Sequence, residues 1–248
     1  MENNGYLIVA SKKQSFYAMA INLAESIKDY YPEAKICLVT EERFLDVRAE
    51  HVADHIVHCD DHYRAKIWGM AQTPFDKTFY IDADCEVVHE DIATVFDQLG
   101  DNDMMFTYLG DDRKYVFKEL YFGPNNRGRL ELCGGVTLYD WRKPIVKEFI
   151  TEWFDLFHKQ FNNAWWPLNE RGGWDEINYP RSLKVWDQFT LWWMTKKMDK
   201  YKDIKIGIFE DDARWNWYMG YDRNRTKLQN PEIVCHYSHL APKDKILT

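Results

Sequence analysis

Short unbroken apolar runs alternate with helically spaced ones along the first hundred positions. Tyr6–Ala10 is apolar throughout and of strand length, while Phe16–Tyr31 carries Met19, Leu23, Ile27 and Tyr30 at helical spacing, with Pro32 beyond. Lys35–Thr40 and Asp54–Cys59 read as a second and a third strand, with Arg64–Met70 as the helix that follows. Lys77–Ile81 is a fourth strand, stopping at Asp82-Ala83-Asp84. Strands separated by helices predict an α/β chain with a mostly parallel sheet flanked by helices. Ligands of such sheets bind beyond the carboxyl ends of the strands, where Ala10, Thr40, Asp60 and Asp82 fall.

The second half is less regular. Asp103–Tyr108 reads as a strand and Glu131–Tyr139 as another, interrupted by its glycine pair. Helical spacing covers about Lys143–Phe161 and Val185–Met198, and late strands are expected at Asp203–Phe209 and Glu232–Tyr237. No repeat, low-complexity tract or linker divides the chain. The expectation is one domain over residues 1–248, with a regular half (about 1–100), whose strand ends suit a nucleotide, and an irregular half (about 101–248).

Composition narrows the classes. The 248 residues are 46% hydrophobic and 29% charged, a globular balance with material for a sizeable core. With 32 basic against 40 acidic residues the net charge is -8, which speaks against a broad phosphate-tracking surface for nucleic acid. Five scattered cysteines show no metal-ligand spacing and read as reduced thiols. No stretch reaches the ~20 apolar residues of a membrane span. Met-Glu-Asn-Asn-Gly lacks the features of a signal peptide, so a soluble, cytoplasmic protein is expected.

The candidate chemistry sits at the end of the fourth strand. Residues i and i+2 of an extended segment share a side, so Asp82 and Asp84 can converge on one ion. Hard carboxylate oxygens suit Mg²⁺ or Mn²⁺, which bridge carboxylates to substrate phosphates and stabilise a departing diphosphate. The bland reading is a solvated strand end capping the helix near Asp91. Six histidines (His51, His55, His58, His62, His89 and His158) have no partner spacing and read as surface or satisfied core residues. Asp187 fits a helix N-cap, and Glu210-Asp211-Asp212 an acidic turn.

From Lys66 to Val88 the chain runs from a basic residue on a helix through Asp76-Lys77 and an apolar strand to Asp82-Ala83-Asp84. This segment resembles the metal-binding region of GT-A fold glycosyltransferases, which have a Rossmann-like nucleotide-binding sheet. It is most similar to family 8, which includes glycogenin and the bacterial lipopolysaccharide galactosyltransferases. The resemblance implies that Asp82 and Asp84 are metal ligands and that Lys66 lies near the diphosphate or donor sugar. Cys133-Gly134-Gly135-Val136 is similar to the family's donor-sugar strand, with Cys133 replacing its polar residue. Asp187-Gln188 resembles the Asp-Gln pair beside the reacting carbon, which makes both the catalytic candidates. Val234-Cys235-His236-Tyr237-Ser238 resembles the strand that supplies a third metal ligand, His236.

Donor contacts are then expected from Ala10, Ser11, Tyr17, Thr40, Lys66, Asp82, Ala83, Gly134, Gly135 and Lys243. The C-terminal motif departs from the family: His239 stands where a glycine belongs, Lys243 is one position late, and no tryptophan ends the motif. Eleven tryptophans are many for a chain of this size. Trp153, Trp192 and Trp193 lie in helix patterns, whereas Trp165-Trp166 and Trp215-Asn216 fall in loop-like regions and are candidate acceptor walls, since aromatic faces stack on sugars. What these features together imply is metal-dependent transfer of a sugar from a nucleotide donor, a UDP-sugar, to an unknown hydroxyl with retention. A haloacid-dehalogenase-like phosphatase, with Asp-x-Asp after a strand and a later acidic pair, and a catalytically silent sugar-nucleotide-binding module are the alternatives.

Overall fold

Tyr6 through Ala10 are buried on both faces, as a strand in mid-sheet must be. In the computed structural model, which describes residues 2–62, 64–108, 132–162, 187–218 and 230–237, this run is the body of β1 (Asn4–Ala10). β2 (Ile36–Thr40) and β4 (Lys77–Asp82) flank β1, both parallel to it. β3 (His55–His58) adds in parallel outside β2. On the other side come β7 (Leu132–Asp140), β6 (Met104–Tyr108) and β8 (Ile206–Ile208). The order is β3-β2-β1-β4-β7-β6-β8, with β7 the one strand reversed against its neighbours.

The period-2 alternation of the strands sorts their side chains into two cores. Tyr6, Ile8, Phe79, Ile81 and Leu138 face one layer, where α1 (Gln14–Tyr30) buries Tyr17, Ala20, Ile21, Ala24 and Ile27. Leu7, Val9, Tyr80 and Tyr139 face the other, covered by α3 (Ala65–Met70), α4 (Pro144–Phe161) and α5 (Asp187–Lys197). α2 (Val47–Val52), capped by the Asp46 carboxylate on Arg48 N–H, lies against α1. Each fully buried large apolar side chain contributes roughly 1.5–3 kcal/mol. The two layers therefore hold the strand ends rigidly.

Two irregularities serve the site. A 3-10 segment (Glu90–Leu99) follows β5 (Cys85–Val87), and α6 (Asp212–Trp215) precedes β9 (Trp217–Tyr218). With β10 (Val234–His236) at their centre, β5 and β9 make a second small sheet. Where β6 pairs with β7 the register slips: Phe106 faces Thr137 and Thr107 faces Cys133, so Gly134-Gly135-Val136 have no β6 partner. Such a bulge re-aims the backbone beside a site. None of the helices in the described residues is long and apolar enough to cross a membrane.

Candidate active site

The chain leaves β1 for β2 and β3 on one side and returns to β4 on the other, so the sheet order reverses between β1 and β4. A crevice forms at the carboxyl ends of strands at such a switch point. Here it is lined by Val9–Lys12 at the end of β1 and just beyond it, by Phe16 and His62, by Arg64–Lys66 at the start of α3, and by Tyr80 and Asp82–Asp84.

Asp82 continues the face of β4 that carries Tyr80, and the Tyr80 hydroxyl donates to Asp82 Oδ1. Lys66 Nζ lies 3.4 Å from Asp82 Oδ1 and 3.1 Å from Asp187 Oδ2. Arg64 Nε stands 3.5 Å from Asp187 Oδ1. Burial works against the Lys66 charge, but Asp187 and Asp82 outweigh it and hold the ammonium above the usual lysine range. Burial would likewise raise Asp187, yet Lys66 and Arg64 keep its carboxyl below the usual carboxylate range. Asp187 is 1% exposed at the head of α5, anchored by Trp153 Nε1–H donating to its carbonyl. It therefore joins the charge cluster instead of capping its own helix.

Asp84 meets His236 across the small sheet, Oδ1 to Nε2 at 3.2 Å, and Tyr237 N–H donates to the Asp84 carbonyl. Burial tends to raise Asp84, while its hydrogen bond and charge pairing with His236 bring it below the usual carboxylate range. On the far side of the ring, Nδ1 lies 2.9 Å from Asn216 Oδ1, and Asn216 Nδ2 donates to Thr107 Oγ1 at 2.8 Å. An amide oxygen accepts only, so Nδ1 carries a proton, and Nε2 meets the Asp84 carboxylate either as the second N–H of a charged ring or, in the neutral ring, as a lone pair. Two facing lone pairs need a cation, either a proton or a metal ion. The donor set of carboxylate oxygens and an imidazole thus fits a divalent ion.

Gly135 sits between the two halves of the site. A Cβ there would lie 2.7 Å from Asp82 Oδ2 and 3.1 Å from His236 Cε1, while one at Gly134 would lie 3.0 Å from Trp153 Cη2. Only glycines let β7 pass this close to Asp82 and to the α4 tryptophan. Among the described residues the tightest ligand triplet is Asp84, Cys85 and His236, whose ligand atoms all lie within 4.8 Å of one another. Asp82 is outside it, held by Lys66 and Tyr80. The strand-end carboxylates do not cap the segment near Asp91; His89 does, accepting from Asp91 N–H.

Other predicted residues divide. Ala10, Ser11, Lys66, Asp82 and Ala83 line the crevice. Thr40 is fully buried at the end of β2 with Oγ1 unpaired among the described residues. Gln188 keeps a buried Oε1 with no described hydrogen-bond partner. Tyr17, expected at the donor, is instead a core residue whose hydroxyl is spent on Asp46. Trp215 and Asn216, expected as acceptor walls, are each 2% exposed. Trp215 packs on Phe79 and Phe209, and Asn216 holds His236, so neither offers a face for a sugar. Trp165, Trp166 and Lys243 lie outside the described residues. Asp212 accepts from Tyr108 N–H, and Asp211 from Asn230, so this acidic pair secures backbone and loop.

Arg64, Tyr80 and Asn216 as a partner of His236 were not singled out. A period-2 signal for Tyr80 was present, two positions before Asp82 on the same strand.

The fold is shared with solved glycosyltransferase structures. The galactosyltransferase LgtC, in complex with donor and acceptor sugar analogs, is 16% identical with a TM-score of 0.58, over 94% of this chain and 87% of that one. GlyE of Streptococcus pneumoniae TIGR4 is 15% identical with a TM-score of 0.58, over 94% of this chain and 55% of that one. Mouse xyloside xylosyltransferase 1 is 12% identical with a TM-score of 0.56, over 96% of this chain and 99% of that one. No family model and no curated protein matches the sequence. These likenesses establish the expected GT-A architecture, a mostly parallel sheet with helices on both faces.

Proposed function

We propose that the chain is a glycosyltransferase moving a sugar from a nucleotide donor, a UDP-sugar, to a hydroxyl acceptor. The observation that carries this reading is the meeting, at the switch-point crevice, of the Lys66–Asp82–Asp187–Arg64 cluster with the Asp84–His236 pair. Asp82, Asp84 and Asp187 stand there among the cations of Lys66, Arg64 and Lys12. A bound Mn²⁺ or Mg²⁺ would add positive charge and stabilise the leaving diphosphate as a Lewis acid. Asp84 and His236 would hold the ion, with Asp82 as the third ligand expected from the family resemblance.

The chain's own groups divide the remaining work. Lys66 and Arg64 are placed to pair with phosphate oxygens as the sugar–phosphate bond breaks, Arg64 in a fork and Lys66 as a point charge. Gly134 and Gly135 would let the donor-sugar strand pack against Trp153 and Asp82 with no side chain of its own between them. The Gln188 oxygen, without a hydrogen-bond partner among the described residues, would accept from a sugar hydroxyl, which would offset the roughly 1–3 kcal/mol of an unsatisfied buried group. A second solved structure of LgtC, 14% identical to this chain, is of an active-site mutant with glutamate in place of glutamine, which agrees with a working glutamine in this fold. Residues 1–100 would bind the nucleotide, and the rest would bind the sugar and acceptor.

The test is incubation with a panel of sugar nucleotides and Mn²⁺, beside p-nitrophenyl phosphate with Mg²⁺. Release of nucleoside diphosphate, with the donor's anomeric configuration kept in the product by NMR, supports the proposal. Phosphate release alone, or binding of donors without turnover, overturns it.

A further inference from the structure

β5 and β10 run antiparallel with Cys85 directly opposite His236. Cross-strand partners share a face, so the thiol and the imidazole stand side by side. Asp84 approaches the same imidazole from the turn before β5, at 3.2 Å. One ligand atom from each of the three lies within 4.8 Å of the other two. Cys85 and His236 are 5% and 4% exposed, so the sulfur is held in place instead of sweeping a surface. Asn216, gripped in turn by Thr107, fixes the ring from behind.

This donor set is one oxygen, one nitrogen and one sulfur. Carboxylate oxygens suit Mg²⁺ and Mn²⁺, whereas thiolate sulfur selects softer ions, and a sulfur–nitrogen–oxygen set is one that zinc accepts. We propose that Asp84, Cys85 and His236 form a site for a thiophilic divalent cation of the zinc and cadmium class, sharing Asp84 and His236 with the harder ion's site. On binding, a metal–sulfur bond forms and the S–H bond breaks, the proton passing to solvent; nothing is oxidised or reduced. A four-coordinate ion with three protein ligands keeps one position for water or a phosphate oxygen. Mn²⁺ and Mg²⁺ leave Cys85 as a thiol. The identity of the ion thereby decides whether Cys85 takes part, and a zinc-class ion competes with the harder one for the same carboxylate and imidazole. The inference rests on the placement of three side chains and does not need sugar transfer to be correct.

The experiment titrates Cd²⁺ into the full chain, metal-free and with its cysteines reduced, and follows the ultraviolet sulfur-to-cadmium charge-transfer band. The band is expected in wild type and in the Cys37→Ala, Cys59→Ala, Cys133→Ala and Cys235→Ala variants, but not in Cys85→Ser. In Cys85→Ser, Cd²⁺ affinity is expected to fall by more than the roughly tenfold to hundredfold that loss of an outer partner costs, and far more than Mn²⁺ affinity does. No band in wild type, or an unchanged band in Cys85→Ser, overturns the proposal. Cadmium NMR of the wild-type complex decides the matter if Cys85→Ser fails to fold. A resonance of one-sulfur coordination supports the site, and one of oxygen and nitrogen ligands alone refutes it. Neither readout involves a sugar nucleotide, so failure of the transfer reaction and failure of this site are seen separately.

Discussion

Asn216 donates to Thr107 and accepts from His236, and both bonds are buried. Replacing it with leucine frees the imidazole to rotate or to change tautomer and leaves Thr107 Oγ1 without its partner. Asn216→Leu is expected to weaken Mn²⁺ binding by roughly tenfold to hundredfold, read by electron paramagnetic resonance of the free ion. Affinity equal to wild type would show that the ring needs no support. Asp84→Asn keeps the shape and removes the charge; it is expected to abolish metal-stimulated release of nucleoside diphosphate from the donor. Full release in that variant, or in excess chelator, would dismiss the ion site. At this scale the sequence was legible for charges that end a strand: Asp82, Asp84 and Lys66 all reach the crevice. It was not legible for Asn216, because Trp-Asn-Trp among polar neighbours reads as exposed. The burial of Trp215 comes from Phe79 and Phe209, more than a hundred and a few positions away respectively.

Between elements, the loop after β3 is tied to α4 by two stacked imidazoles. Arg64 N–H donates to His62 Nδ1, His62 Nε2 lies 3.2 Å from His158 Nδ1, and Asn162 lies 2.9 Å from His158 Nε2. Accepting at Nδ1 leaves the His62 proton on Nε2, the nitrogen that faces His158. Burial, then His158 and Lys12, lower the His62 pKa from its ordinary 6.5, against the opposing pull of Asp61. A histidine whose folded pKa is lowered contributes stability above its unfolded pKa and loses it as pH falls through the folded one. The contact is therefore expected to weaken below about pH 6.5. The drop in melting temperature between about pH 7.5 and about pH 5 should be smaller in His62→Gln than in wild type. Equal drops would dismiss the contact as a source of pH sensitivity. Elements long enough to show a period were legible: β1, β2, α1 and α4 match their predicted ranges to within about two residues. β10 falls inside the strand expected at Glu232–Tyr237, whereas α2 and the three-residue β5 carried no signal of their own, and pairing between distant strands leaves no local trace.

Across the whole molecule, the Asp84–His236 contact joins the turn after β4 to β10. A ligand that binds only the folded chain stabilises it by about 2.7 kcal/mol at a hundredfold excess over Kd, or roughly 5 to 10 °C in Tm for a chain of this size. Mn²⁺ is expected to produce such a shift in wild type and not in His236→Ala; an equal shift in both would place the ion elsewhere. The parallel strands were legible because each has an apolar centre, but the reversal at β7 and the small β5–β10–β9 sheet depend on pairing between segments distant in the sequence. The small sheet has a consequence in time. Tyr237 bonds back to Glu86, 151 positions earlier, a distance that a ribosome needs roughly 8 to 30 s to cover. During that interval a nascent chain carries the acidic strand end without its imidazole, so translation itself delays the meeting of Asp84 with His236 until position 236 has been made.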